Sequence, residues 1–569
     1  MLGKIKFLSL VFFLCLFALV VRLGYWQVVK GKELSEQAKS QYKSSKVLTA
    51  PRGNILASDG SFWAVRSESW QPFANPQEIE EAPNEIANKI APFFVENTDD
   101  KQSLLNEIDR LAELLGKEDS LWVPLGREID NDTKRNIESL KIHGIGFDPG
   151  ESRFYPEAST AAQLLGFVGK DEEGANMGYF GIEGYYNLAL SGKSGFIGGE
   201  VDAIGAPILL GKGREVTSIS GTDLVTSVDK RIQLTISQKL KEGIEKYGAK
   251  AGTVIVMNPT NGQIMAMESY PSYDPKKYWD YGDTYFKNPA ISDSFEPGSV
   301  FKVLVMAAGL DAGVVEPDTT CDICSAPLRI DKYLIETWNR EYHADATMVD
   351  VIVHSDNVGM TFVGQKLGAD KLYEYLDKFG IGSTTGIDLQ GEASPQLRKK
   401  GTWSVVDLAT ATFGQGIATT PIQMIRAVGA IANKGVLVTP KVVEKIKGDG
   451  WENTNKANSE KRVISPEASA KITAMMAEAA RHGESQWTNL KGFKVAGKTG
   501  TAQIPIAGHY DAEKTNASFV GFAPYDKPKF VMLVILNEPQ TSQWASETAA
   551  PLWYSIAKDI FPYLGIQPE

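Results

Sequence analysis

The alternation of apolar and polar positions divides the chain into three stretches. Residues 5–21 read IKFLSLVFFLCLFALVV, almost wholly apolar apart from Lys6 and closed by Arg22, and a run of this length just suffices to cross a bilayer as a helix. A cleaved signal peptide is the rival reading. No A-x-A site follows, however, and Phe13 and Leu14 ahead of Cys15 are too bulky for lipoprotein processing. The stretch therefore reads as an uncleaved anchor over 5–22 behind a short tail, 1–4, with Tyr25 and Trp26 as interfacial aromatics. Lys4 and Lys6 before the span are balanced by Arg22, Lys30 and Lys32 after it, so charge alone does not orient it.

Over residues 31–215 short strand-like pieces mix with polar helical stretches such as 101–115, and Gly and Pro are dense over 143–156 and 174–213. That texture predicts an irregular, mostly β module of turns and short strands, serving as a pedestal or a spacer. Over 216–569 helices and strands alternate more closely. Residues 253–257 and 263–267 are apolar runs joined through Pro259, Thr260, Asn261 and Gly262, where Asn-Gly signals a hairpin. Residues 493–496, 517–523 and 530–537 add further apolar runs, which makes roughly five sheet candidates. Residues 466–482 predict a helix with Ser465 as N-cap, Pro466 at its first position and Gly483 as its stop. Another is expected over 299–310, apolar nearly all round and hence buried. Helices segregated around an antiparallel sheet make this half an α+β domain.

Composition narrows function more than fold. With 43% hydrophobic and 23% charged residues over 569 positions, the chain can build more than one core. A net charge of -11 argues against a nucleic-acid partner, because phosphate contacts need clustered Lys and Arg. Cys321 and Cys324 form a lone C-x-x-C, open to a local disulfide, a redox pair or half a metal site. Without a second ligand pair at suitable spacing, neither a metal nor a cofactor is expected.

The chemistry is carried by three short motifs. Ser299 and Lys302 form S-x-x-K at the head of the buried helix, three residues apart on one face. A serine hydroxyl needs a nearby base, and a lysine serves where burial and neighbours depress its pKa. The same spacing recurs at Ser40, Ser227 and Ser555, so context must decide. Only Ser299 follows a Glu296-Pro297-Gly298 break and opens an otherwise apolar helix, in which an unpartnered Lys302 would cost several kcal/mol. Ser355-Asp356-Asn357 and Lys498-Thr499-Gly500, followed by Thr501, complete the ordered set S-x-x-K, S-D-N, K-T-G. His354 beside Ser355 reads as a packing or capping residue rather than a base.

With these motifs the chain resembles a class B penicillin-binding protein, a monofunctional peptidoglycan transpeptidase, over nearly its whole length. Family phrases in the catalytic half are 296–302 (EPGSVFK), 414–416 (GQG) with Thr420 and Pro421, and 497–503 (GKTGTAQ). In the first half they are 52–53 (RG), 153–156 (RFYP), 164–166 (LLG) and 181–184 (GIEG), which resemble the pedestal, or dimerisation-type, module. Residues 516–524 (NASFVGFAP) and 563–569 (YLGIQPE) are most similar to the cell-division branch. Residues 57–60 (ASDG) depart from the Asp-Arg pair that the family more often has before Asn-Gly.

The resemblance implies a D-alanyl-D-alanine stem, on lipid-linked or polymerised peptidoglycan, as substrate, and β-lactams as its mimics. Ser299 is then the nucleophile and Lys302 its base, with Ser355 and Lys498 carrying the proton to the leaving amine. Asn357 holds the stem amide, while Thr499, Gly500 and Thr501 bind the terminal carboxylate. A site for this substrate lies outside the cytoplasmic membrane, with the amino terminus inside, and a multi-spanning FtsW-like glycosyltransferase is the implied partner. The absence of an E-x-x-L-N loop favours a transferase over a β-lactamase or carboxypeptidase. A β-lactam sensor or silent scaffold is the remaining alternative.

Overall fold

The computed structural model describes residues 2–35, 43–95, 97–200, 214–455, 460–506 and 509–569. The first apolar run forms helix α1 (Leu2–Gly24), continued by a π-helical turn over Tyr25–Val29. The helix that is long and apolar enough to cross a membrane runs over Leu2–Val29, 28 residues. None of the residues of α1 is buried. The Arg22 guanidinium lies 5.2 Å from the Trp26 ring centre.

The chain divides into one unit of Met1–Arg52 with Ser191–Gly221 and a second of Gly53–Leu190 with Thr222–Glu569. Beyond α1, the first unit holds a three-stranded antiparallel sheet with Gly195–Glu200 between Lys43–Leu48 and Arg214–Val216. The second unit contains all three motifs.

In the second unit, the long strand Phe62–Ala74 pairs antiparallel with Ile145–Phe154. Ile86, Leu111, Leu115 and Ile137, from the helices beside this ribbon, close a small core. Ile55–Leu56 pairs with Asp223–Thr226, which pairs in turn with Val443–Gly448, so a late segment of the chain completes an early sheet. The family phrases of the first half converge here. Arg153 Nε donates to Glu183 Oε1 at 2.7 Å and Arg153 Nη1 to the Gly53 carbonyl at 2.8 Å, with both side chains buried. Removing one partner of such a pair leaves an uncompensated buried charge, costing about 3–5 kcal/mol. At 57–60, Asp59 accepts from Ser61 N at 2.9 Å and closes a turn.

The catalytic half is built on five antiparallel strands, β1 (Ala251–Met257), β2 (Ile264–Tyr270), β3 (Ala496–Ile506), β4 (His509–Ala523) and β5 (Phe530–Asn537), in the order β2-β1-β5-β4-β3. This is the α+β sheet expected. One run is displaced: residues 493–495 only approach the sheet, and β3 starts at Ala496 and carries the whole K-T-G segment. Helices α2 (Lys230–Tyr247), α3 (Lys302–Asp311), α4 (Asn357–Leu367), α5 (Pro466–His482) and α6 (Ala549–Tyr563) cover it. Alternate residues of the strands face opposite ways. Val254, Val534 and Phe519 pack with α2 and α6, whereas Ile255, Leu533 and Val520 pack with α3, α4 and α5.

Helix α5 has the bounds read from the sequence, with Ser465 Oγ accepting from Ala468 N at 3.2 Å and the Gly483 N–H closing on Ala479 O. The helix expected over 299–310 instead divides into a 3₁₀ turn, Gly298–Phe301, and α3. Its entry is pinned from outside: Gly298 N donates to Gly414 O at 3.0 Å, and Phe295 bridges to Thr419.

Candidate active site

The 3₁₀ turn, the head of α4 and the edge strand β3 meet around one cleft, lined by Ser299, Ser355, Asn357, Thr501 and Glu484, with Trp338, Trp544, Phe413 and Gln415 at its walls. Glycines make the approach close enough. A Cβ on Gly500 would lie 2.8 Å from Val300 Cγ1 and 3.0 Å from Pro297 O, and one on Gly414 would lie 2.2 Å from Gly298 O. The glycines of K-T-G, G-Q-G and E-P-G-S are therefore packing residues that bring three backbones together. Gly416 N donates to Glu296 Oε1 at 3.1 Å, and Thr420 and Pro421 open the next helix with a capping box to Gln423.

Ser299 is partly exposed in the turn, and among the described residues its hydroxyl has no hydrogen-bond partner. Lys302 does not bond it, although their spacing suggested that it would. Its ammonium donates to Ser355 O at 2.5 Å, Ser355 Oγ at 3.2 Å and Asn357 Oδ1 at 2.7 Å, so it joins the first motif to the second. Lys302 is fully buried, and burial, aided by the Lys498 cation, pushes its pKa down to about 7 against the opposing pull of Glu484 and Asp356. Half of such amines are neutral near physiological pH and able to take a proton.

The second motif divides its labour. Ser355 has φ +56°, a left-handed conformation that a residue with a Cβ adopts at some cost, here at the sharp entry to α4. Asp356 is the N-cap of α4, accepting from Val358 N at 2.7 Å and Gly359 N at 3.1 Å. Asn357 Nδ2 donates to Glu336 O at 2.9 Å, which fixes its amide orientation. His354 is exposed at the end of the preceding helix, Met348–Val353, where its carbonyl accepts from Trp338 Nε1 at 3.3 Å.

In the third motif, Lys498 is buried, which lowers its pKa while Glu484 opposes the shift. Its ammonium donates to Thr499 Oγ1 at 3.1 Å, and Thr499 Oγ1 donates to Glu484 Oε2 at 2.6 Å. Thr501 Oγ1 accepts from Ala545 N at 3.0 Å. Of the other S-x-x-K copies, Ser227 is buried with its hydroxyl given to Ile264 O at 2.8 Å, Ser555 sits on α6 across the sheet, and Ser40 lies outside the described residues.

Sequence reasoning did not find Glu484, Trp338 or Trp544, which follow no motif; the two indoles meet at 5.3 Å. Gln415 could have been found inside its G-Q-G phrase. Cys321 and Cys324 form a buried disulfide, the first of the three readings of the C-x-x-C. It precedes the hairpin of Leu328–Ile330 and Tyr333–Ile335 that leads to Trp338.

An accessible hydroxyl beside a near-neutral amine, a second buried amine and an open strand edge make up a site able to carry acyl transfer. Residues 252–561 match the penicillin binding protein transpeptidase domain and 47–226 the penicillin-binding protein dimerisation domain. The chain belongs to the penicillin-binding protein transpeptidase family. It is 31% identical over 568 residues to stage V sporulation protein D of Bacillus subtilis, covering 98% of this chain and 86% of that protein. To the probable peptidoglycan D,D-transpeptidase PenA of Neisseria meningitidis serogroup A it is 26% identical, covering 100% and 94%. Penicillin Binding Protein 2X from Streptococcus thermophilus shares the fold, with a TM-score of 0.72 at 23% identity over 92% of this chain and 81% of that one.

Proposed function

We propose that this chain is a membrane-anchored peptidoglycan D,D-transpeptidase that cross-links stem peptides through a Ser299 acyl-enzyme, in septal or sporulation wall synthesis. The observation that carries the reading is Lys302: a fully buried amine brought to about pH 7, three residues from an accessible serine and bonded to Ser355 and Asn357. Ser299 Oγ attacks the penultimate D-alanyl carbonyl as Lys302 takes its proton. The tetrahedral oxyanion is held by the backbone amides of Ser299 and Thr501. The C–N bond then breaks, and the amine of the terminal D-alanine leaves with a proton passed through Ser355 and Lys498. An acceptor stem amine attacks the ester, forms the new peptide bond and frees Ser299. Asn357 holds the donor's amide, and Lys498, Gly500 and Thr501 of the K-T-G edge bind its terminal carboxylate, with Thr499 holding the Lys498 ammonium.

The same reading organises the chain as an anchor over 5–22, a pedestal over 31–215 and a transpeptidase domain over 216–569. Because peptidoglycan stems lie outside the cytoplasmic membrane, the amino terminus is inside. A fluorescent penicillin, whose strained amide mimics the donor, should label Ser299 and leave slowly, and Ser299→Ala should abolish the label with little change in Tm. Tryptic mass spectrometry locates the adduct; finding it on Ser40, Ser227, Ser355 or Ser555 would overturn the assignment. A multi-spanning FtsW-like glycosyltransferase is the proposed lateral partner, engaged through small residues such as Ala18 and Gly24. Exchanging residues 1–22 for an unrelated span should weaken co-purification, and undiminished recovery sinks that part.

A further inference from the structure

Among the described residues Glu484 is the single acidic side chain lining the cleft, and no motif accounts for it. It stands one residue past the stop of α5. A Cβ on Gly483 would lie 2.4 Å from Ala479 O and 2.9 Å from Val353 O, so the chain turns tightly there and delivers Glu484 towards β3.

Hydrogen-bond accounting gives this carboxylate a role. A threonine hydroxyl has one proton to donate. That of Thr499 goes to Glu484 Oε2 at 2.6 Å, while Thr499 Oγ1 accepts from Lys498 Nζ at 3.1 Å. Thr499 therefore has no proton left for a substrate carboxylate. Thr501 is in the opposite state: its oxygen accepts from Ala545 N, and its own proton remains available.

We infer that Glu484 is a positioning residue for acyl transfer, anchoring the Lys498 ammonium through Thr499 and leaving carboxylate recognition to Lys498 and Thr501. This rests on the Ser299 acyl-enzyme reading. The charged groups acting with Glu484 are Lys498 on β3 and Lys302 on α3, and Asp356 at the head of α4 also acts on Lys302. On α5 itself, Arg481 and His482 pair with Glu478 at the exposed surface.

An anion between two amines favours the protonated form of both. Acylation needs Lys302 neutral as base, so the rate rises with pH as Lys302 loses its proton. It needs Lys498 charged to hold the carboxylate, so the rate falls as Lys498 loses its own. Without Glu484 both protons leave at lower pH, and both limbs of the profile move in the acidic direction.

The test is the second-order rate of fluorescent-penicillin labelling of the full chain in detergent, from about pH 5.5 to 10. Glu484→Gln should displace both limbs by about one unit towards lower pH. Glu484→Asp, which keeps the charge but withdraws it from Thr499, should displace them in the same direction by less, and decides the matter if the Gln variant does not fold. Limbs that superimpose on the native profile, with only a uniform loss of rate, would overturn the inference. Ser299→Ala, measured alongside, tests the parent reading separately: label retained there removes the acyl-enzyme premise, whereas label lost with unmoved limbs removes Glu484 alone.

Discussion

At the scale of single residues, the site works by holding charge where water cannot reach it. Lys302 retains three hydrogen bonds inside a helix with no polar face, yet burial and Lys498 weaken its hold on the proton. Labelling by penicillin should accordingly rise with pH through about 7. Lys302→Arg keeps a cation in place, but a guanidinium is not deprotonated in this range. The variant should lose label by about 100-fold or more, the usual share of a general base. A variant labelled at the native rate would show that Lys302 is not the base. Ser299, Lys302 and Lys498 were legible because their motifs are short and local. The destination of the Lys302 ammonium was not, since Ser355 and Asn357 are more than fifty positions away and meet it only through the packing of α3 against α4.

At the scale of elements, boundaries set by local chemistry were readable and those set by neighbours were not. The bounds of α5 follow from Ser465, Pro466 and Gly483, each acting within one turn. The 3₁₀ turn at Ser299 follows from Gly414 and Thr419, more than a hundred positions away, which clamp its entry. The Cys321–Cys324 bridge is a local element of the other kind, closing a loop of only a few residues. Chain entropy assigns such a short loop about 2 kcal/mol, and neither sulfur lines the cleft. Replacing both cysteines by serine should lower stability by about that amount in denaturant melts, while penicillin labelling stays near the native rate. A large loss of labelling with the fold intact would mean that the bridge supports the Trp338 wall directly.

At the scale of the whole molecule, a buried carboxyl couples the catalytic sheet to the segment that precedes it. Glu268 on β2 accepts from Ala161 N at 2.9 Å and from Gln233 Nε2 at 2.5 Å, and burial pushes its pKa up to about 8 from a model-compound value of 4.5. Its folded pKa is raised, so its contribution to stability is fully present below about 4.5 and is lost as pH rises through about 8. Lys302 acts in the reverse sense: its lowered pKa makes stability rise with pH between about 7 and 10.5. The two windows overlap near pH 7 to 8, so the difference between variants is the clean measurement. Glu268→Gln should flatten the fall in Tm between about pH 4.5 and 8 that the native chain owes to this group, an effect of a few kcal/mol at most. Parallel Tm profiles for the two proteins would exclude it.

The sequence by itself determined the apolar anchor, the α+β class, the three motifs and the helix caps, because each depends on contacts within a turn or on a periodicity of two or 3.6 residues. It could not show that residues 443–448 complete a sheet begun at residue 55, or that Glu484 faces Thr499. Those facts arise from pairings between distant segments, whose closure is decided by the burial of the whole core rather than by any local preference. The tertiary structure alone brought Glu484 to the two lysines in a common low-dielectric cleft, where burial lowers the proton affinity of both amines and the glutamate opposes the shift.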